Sequence, residues 1–263
     1  MNNLIKLTEE GQLIQLISLE DNKSFLVFTN KEDKLETHKG IIHHSSIIGK
    51  PFGSIILSHL EKQFLILIPS TSNIIRTIKR KTQIIFPKDL GLILLRLSIK
   101  PGQQIIEAGT GSGALTATFA EAVGSYGKIF SYDKRSDTQQ IAAENLKLLG
   151  LDKRVELKTR DISQGFDEKN IPAIFLDLNN PWDYLNQVLS SLENGGFFGS
   201  ILPTYNQVSN LLKALDNTSF GMFEVVEVML RNYKTTQNRL RPTDRMVAHT
   251  GYLIFARSLY QEQ

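Results

Sequence analysis

Four carboxylates and three alternating glycines are the residues of this chain best placed, by type and spacing, to do chemistry. Glu107, Gly109, Gly111 and Gly113 lie within IIEAGTGSGALT, residues 105–116; Asp133 ends KIFSYD, Asp161 ends VELKTRD and Asp177 lies in AIFLDL. Glycines between an apolar run and a helical pattern permit a tight turn and let a ligand come close to a helix amino terminus. Spacing separates the candidate ligands. A dinucleotide fingerprint, G-x-G-x-x-G, has its third glycine one residue beyond Gly113. A carboxylate at Glu107 facing the turn opposes a pyrophosphate and suits a cationic sulfonium with its ammonium group, which points to S-adenosylmethionine. Asp133 is placed to accept from both ribose hydroxyls, and Asp161 from an adenine amino group. Each acid alone is as readily a helix cap or turn residue; it is the ordered set, with the glycine turn, that specifies the cofactor. The residues expected to hold it are Glu107, Gly109, Thr110, Gly111, Ser112, Gly113, Ala114, Leu115, Asp133, Asp161, Ile162 and Asp177.

The elements that must position these groups follow from periodicity. IIEAG, KIFSYD, VELKTRD, AIFLDL and FFGSIL read as strands buried on both faces. LTATFAEAV, DTQQIAAENLKLLG, PWDYLNQVLSSL and QVSNLLKAL read as the helices between them, and a further helix over 88–99 leads in. Such alternation specifies a parallel, doubly wound α/β sheet. EVVEVML and GYLIFARSL are two more strands, enclosing a long polar loop; with no helix between them they are expected to pair antiparallel at the sheet edge. Residues 11–70 have a different texture. LIQLISL, SFLVF, SIILSHL and FLILIP are short apolar runs separated by turn-rich pieces, as in a small antiparallel sheet or barrel. The expected division is a small β domain over 1–70 and a catalytic domain over 71–263.

At 263 residues, 41% apolar and 22% charged, the chain can bury a sizeable core. A net charge of +3 only mildly favours an anionic partner. Cysteine is absent, which excludes disulfides and thiolate metal sites. The start of the chain does not read as a signal peptide and no apolar run is long enough to span a bilayer, so a soluble, cytoplasmic protein is expected.

The chain resembles the tRNA (adenine-58-N1)-methyltransferases of bacteria and archaea, which are related to the catalytic subunit of the eukaryotic enzyme. ETHKGIIHHSSIIGKPFGS is similar to the family's amino-terminal barrel signature, TQIIFPKD to its substrate-side loop and IIEAGTGSGALT to its cofactor motif. FLDLNNPW is similar to its catalytic strand end, and RPTDRMVAHTGYLIFARSL to its carboxy-terminal motif. The resemblance implies a class I, Rossmann-like methyltransferase sheet with a small amino-terminal β-barrel. It also implies a homotetramer that methylates N1 of an adenosine in the T-loop of tRNA. It makes Asp177 and Phe86 the catalytic candidates and Gln83 a cofactor contact. At the position of Phe86 the family usually has tyrosine. A phenyl ring can shape a pocket or stack on a base but offers no hydroxyl, so a role resting on that hydroxyl does not transfer.

The bottom-up chemistry is compatible with this. The N1 lone pair of adenine is normally paired, so the base must leave its stack. Methylation there creates a cation that a nearby carboxylate stabilises, and Asp177, at a strand end, can accept from the exocyclic amine. Arg76, Lys79, Arg80 and Lys81 form one basic cluster; Arg231, Lys234, Arg239, Arg241 and Arg245, with Tyr233 among them, form another. Charge runs are usually solvated faces, but both are expected near the carboxyl edge of the sheet, where a phosphate backbone can approach. The histidines share no metal-ligand spacing. Two other functions fit less well: a methyltransferase acting on a protein or small molecule, which needs neither basic cluster, and a non-catalytic tRNA-binding subunit, which needs neither the glycines nor the acids.

Overall fold

Short apolar runs, broken by turn-rich pieces, organise the amino-terminal strands. In the computed structural model, which describes residues 5–81 and 83–260, β1 (Leu13–Ser18), β2 (Ser24–Phe28), β3 (Lys34–Thr37), β4 (Gly40–His43), β5 (Ile55–Leu57) and β6 (Gln63–Leu67) form two sheets. One is a four-stranded antiparallel sheet in the order β2-β1-β6-β5; the other is the β3–β4 hairpin. The barrel expected for this region is thus, in its hydrogen bonding, an open sheet and a separate hairpin. The two share one core, in which Ile42 of β4 packs with Ile14, Leu16, Phe64 and Ile66. A short helix, α1 (Thr71–Thr77), completes this unit, and the division between the two compact units falls between Thr77 and Ile78. The expected boundary after residue 70 placed α1 with the other unit. The helix stays with the first because Asn73 Nδ2 donates to Gln15 Oε1 of β1 at 2.9 Å.

The second unit contains α2 (Pro87–Arg96), β7 (Gln104–Ala108), α3 (Ala114–Val123), β8 (Lys128–Asp133), α4 (Ser136–Leu148), β9 (Val155–Thr159), β10 (Ile171–Leu176), α5 (Leu185–Ser191), β11 (Leu192–Leu202), α6 (Tyr205–Asp216), β12 (Phe220–Val226) and β13 (Tyr252–Ser258). Its sheet has the order β12-β13-β11-β10-β7-β8-β9. Strands β9, β8, β7, β10 and β11 are parallel, and β13 runs antiparallel to both its neighbours. The chain leaves β7 in one direction toward β8 and β9, then returns to place β10 on the other side. That reversal opens a crevice beyond the carboxyl ends of β7 and β10, where ligands of such sheets bind.

The central parallel strands β7, β8 and β10 are buried along most of their length, as their apolar runs require, whereas β9, read from the sequence as buried on both faces, lies at the sheet edge and buries only Val155. Ile105, Ile106, Ile174, Phe175, Leu176 and Tyr132 are fully buried, each such side chain contributing about 1.5–3 kcal/mol against exposure. Tyr132 and Leu176 directly precede Asp133 and Asp177, so the last core residue of each strand fixes where its acid emerges. Two further elements depart from the sequence expectation. PWDYLNQVLSSL is a 3-10 turn, Pro181–Tyr184, followed by α5. The edge strand, Phe220–Val226, begins and ends earlier than EVVEVML, and it carries an irregularity between Gly221 and Glu224, where Met222 has φ +57°.

Candidate active site

The turn from β7 into α3 divides its work among the three glycines. Gly109 has φ +99°, and a Cβ there would stand 2.2 Å from the carbonyl oxygen of Asp177. Only glycine lets the ends of β7 and β10 approach so closely, a closeness also marked by the Asp177 N–H donating to the Ala108 carbonyl at 2.8 Å. Gly111 offers its N–H to Asp133 Oδ2 at 3.2 Å. Gly113 serves packing: a Cβ would lie 3.1 Å from that of Ala142 on α4.

Around this turn is a cavity of about 390 Å³. Every residue anticipated from the sequence lines it except Gly113 and Phe86: Gln83, Glu107, Gly109, Thr110, Gly111, Ser112, Ala114, Leu115, Asp133, Asp161, Ile162 and Asp177 all face it. Phe86 is half-buried at the extended position before α2, where Pro87 opens the helix. Residues preceding proline are held extended, and proline suits the first helical turn. The structure therefore gives Phe86 a place in the chain path beside the cavity wall rather than in its lining. Thr82, the head of the TQIIFPKD motif, lies outside the described residues.

The acids of the cavity are held in different states. Glu107 is buried and accepts from Thr116 Oγ1 at 2.6 Å and Ser131 Oγ at 2.8 Å. Burial pushes its carboxyl up to about 8, against the pull of those two hydroxyls, and the charges of Asp177 and Asp133 add to the rise. Asp177 opens on the cavity, yet protein surrounds it otherwise; that desolvation, with the Asp133 charge, pushes it up to about 6. Burial acts on Asp133 in the same sense but is outweighed by the Arg135 side chain, with further help from the N–H groups of Arg135 and Gly111. Its carboxyl is held below the usual range. Asp161 caps a 3-10 turn through the Ser163 N–H, at 2.9 Å, which lowers its pKa. One wall of the cavity thus carries buried or crowded carboxyls without a full complement of cations, an arrangement that favours a cationic ligand.

Several site residues escape sequence reasoning. Asn145, buried on α4, donates from Nδ2 to the carbonyls of Lys79 and Ser112 at 2.8 and 2.9 Å, and accepts from the Lys79 N–H. It ties the glycine turn to the segment running into Gln83. Gln139, one helical face away, donates to the Ser131 and Lys158 carbonyls and so couples the ends of β8 and β9. Two amides on the buried side of an amphipathic helix are a readable anomaly, since buried polar groups need partners. Arg135 also faces the cavity, with Nε and a terminal nitrogen each 3.3 Å from an oxygen of Asp133.

The second basic cluster is carried by the connection between β12 and β13. Because β13 runs against β11, this connection emerges at the carboxyl edge of the parallel strands, the edge that bears the cavity. Arg231, Arg239, Arg241 and Arg245 are exposed, and Lys234 pairs with Asp244 at 2.7 Å. The segment folds back on itself through the Tyr233–Pro242 bridge and the Lys234 N–H to the Arg241 carbonyl. In the first cluster Lys79 and Lys81 are paired with Glu144 and Asp137, while Arg80 is exposed. No helix among the described residues is long and apolar enough to cross a membrane.

Comparison with known proteins places this geometry. Residues 63–245 match the family model of the tRNA methyltransferase complex GCD14 subunit. The tRNA (adenine(57)-N(1)/adenine(58)-N(1))-methyltransferase TrmI of Methanocaldococcus jannaschii is 31% identical, over 92% of this chain and 94% of its own. Among solved structures, the tRNA (m1A58) methyltransferase TrmI of Aquifex aeolicus is 37% identical with a TM-score of 0.84, covering 97% of this chain and 100% of its own. A SAM-dependent O-methyltransferase from Thermotoga maritima is 45% identical with a TM-score of 0.91, covering 97% and 96%.

Proposed function

The chain belongs to the family of the tRNA methyltransferase complex GCD14 subunit, and from that premise we propose that it methylates N1 of adenosine 58 in the T-loop of tRNA, using S-adenosylmethionine. The observation that carries the reading is the cavity at the strand reversal, where Glu107, Asp133 and Asp177 converge on the glycine turn. These residues fit the cofactor. The close approach of the ends of β7 and β10 that Gly109 permits brings Asp177 and Glu107 to one cavity, and these acids suit a sulfonium and an ammonium. Asp133 is the acceptor for ribose hydroxyls, and Asp161 with Ile162 borders the space for a base.

When bound, the cofactor supplies a methyl group attached to a positively charged sulfur. The chain's own residues do the rest. Asp177 sets a negative potential around that charge, and Glu107, uncharged at neutral pH before the ligand binds because its carboxyl is raised to about 8, joins it once the cationic ligand has displaced its proton. Asp177 also accepts from the exocyclic amine of the target adenine, which turns N1 toward the cavity. As N1 gains its methyl group the base becomes cationic, and the Asp177 carboxylate offsets the developing charge. With a pKa near 6, it is ionised at neutral pH. The exposed arginines of 231–245 supply phosphate contacts on the same sheet edge.

The deciding experiment is nucleoside mass spectrometry of unmodified tRNA incubated with the protein and S-adenosylmethionine. N1-methyladenosine at position 58 is the expected product. A 2′-O-methylated nucleoside, or methylation of a small molecule only, overturns the reading in favour of the activity named for the Thermotoga structure. A homotetramer, implied by the family resemblance, and a cytoplasmic location, expected from composition, are part of the proposal, and sedimentation equilibrium tests the first.

A further inference from the structure

Lys88 and Asp89, adjacent in the first turn of α2, have side chains only 6% and 0% exposed. A buried charge is costly unless it is paired and its hydrogen bonds are met. Here they are. Lys88 Nζ donates to Asp89 Oδ1 at 2.8 Å, to the Val228 carbonyl at 2.6 Å and to Thr250 Oγ1 at 2.5 Å, which uses all three of its N–H groups. Thr250 Oγ1 in turn donates to Asp89 Oδ2 at 2.7 Å.

Val228 and Thr250 flank the connection that carries Arg231, Arg239, Arg241 and Arg245, so one ammonium clasps that loop at both ends. The pair also stands directly after the segment whose Gln83, Ile84 and Ile85 line the cavity. A second clasp lies beside the first: His249 bridges Glu227 at 2.7 Å and the Pro203 carbonyl at 2.9 Å. An apolar trio of the same volume holds such segments together at least as firmly. What directed bonds from one ammonium add is a single arrangement of the parts they join.

We propose that Lys88, Asp89 and Thr250 are positioning residues for the nucleic-acid substrate. They fix the base of the basic loop relative to the cavity wall, so that phosphate contacts and the methyl-transfer site are held at a set spacing. The proposal rests on the reading of the substrate as tRNA. The informative variant is Thr250→Val, which keeps shape and leaves the Lys88–Asp89 pair intact while cutting the loop end free. The variant loses both hydrogen bonds that the hydroxyl makes to charged groups, and the expected result is a fall in kcat/KM for tRNA on the order of tenfold or more. Cofactor affinity by calorimetry should stay unchanged, and Thr250→Ser should restore the wild-type value. Lys88→Met, which strands Asp89, is expected to lose tRNA affinity as well as lower Tm. If Thr250→Val lowers Tm but leaves tRNA affinity and kcat/KM at wild-type values, the cluster is structural only and the proposal falls. Absence of tRNA binding by the wild-type protein instead overturns the substrate reading, a separate result.

Discussion

The carbonyl oxygen of Asp177 occupies the space beside Gly109 that a side chain would need, 2.2 Å from where its Cβ would stand. The turn and the acid-bearing strand end are thereby built against each other. Gly109→Ala must push β10 away from β7 or distort the turn. Positive φ alone costs an alanine about 1 kcal/mol or more, and the collision adds to it. Gly102→Ala is the control, since Gly102 has φ +84° with nothing within 4 Å of a Cβ. Calorimetric scans should show a larger fall in Tm for Gly109→Ala, with cofactor binding lost only in that variant. Equal falls and retained binding would show that the close approach is dispensable.

Glu107 makes stability depend on pH in a direction opposite to an ordinary surface carboxylate. Its folded-state pKa, about 8, lies above its ordinary value of 4.5. The stabilisation is therefore complete below the unfolded pKa and is lost as pH rises through about 8. Within this window the cofactor-free protein should lose at most roughly 3–6 °C of Tm per pH unit. Glu107→Gln should flatten that slope. Cofactor binding should release a proton from the wild type near pH 7 and none from this carboxyl in the variant. Calorimetry in buffers of different ionisation enthalpy separates that release from the cofactor's own amine. A slope and proton release identical in the two proteins would remove Glu107 from this role.

Asp177 carries the mechanistic prediction. Asp177→Asn keeps the size and part of the hydrogen bonding but removes the charge, so single-turnover methyl transfer at saturating tRNA and cofactor should fall on the order of 10²–10³-fold. Because the acid is raised to about 6, the wild-type rate should drop as pH falls below that value, tenfold per unit, while the variant shows no such limb. A near-normal variant rate, or a defect cured by more cofactor, would reduce Asp177 to a contact.

Arg135 presents a competition. Its side chain and backbone N–H, with the Gly111 N–H, already engage both oxygens of Asp133. If Asp133 accepts the ribose hydroxyls as proposed, they must displace the guanidinium to reach it. Half-exposed pairs of this kind contribute about 0.2–1 kcal/mol, so Arg135→Leu should bind the cofactor roughly twofold to fivefold more tightly by calorimetry. Weaker binding would make Arg135 a ligand contact instead of a competitor.

For the nucleic acid, the structure ranks the basic residues. Lys79, Lys81 and Lys234 have carboxylate partners, whereas Arg80 and Arg241 have no ion-pair partner among the described residues. Plots of log affinity for tRNA against log salt should flatten by up to about one unit for Arg80→Ala or Arg241→Ala. Lys234→Ala should change the slope less. Salt-independent binding would return both clusters to the role of solvated faces.

The parts of this architecture that were legible in the sequence are those where one residue type serves one purpose. IIEAG and AIFLDL are apolar on both faces because helices cover both, and the acids at their ends stand out against that background. Asn145 and Gln139 show in the sequence only as amides on the buried side of a helix; what they join is visible only through the carbonyls of Lys79, Ser112, Ser131 and Lys158. Lys88 and Thr250 lie 162 positions apart, and no local pattern announces their meeting. Phe86 was assigned by resemblance to a motif, and Pro87 then dictates its extended backbone. The α1 helix was missed because seven residues with one buried side chain leave too short a period to detect.

The place of β13 has a consequence for the order of assembly. It lies between β11 and β12 and, among the described residues, is the only strand paired with β12. While a ribosome is still making the chain, the five parallel strands can associate, but β12 has nothing to pair with until Tyr252–Ser258 emerges. Until then β11 presents an open, apolar edge, the kind of surface that recruits other chains. Synthesis of the cavity-forming half therefore runs ahead of the strand that seals it, and an exposed strand edge of this kind is the surface that makes incomplete chains prone to aggregate.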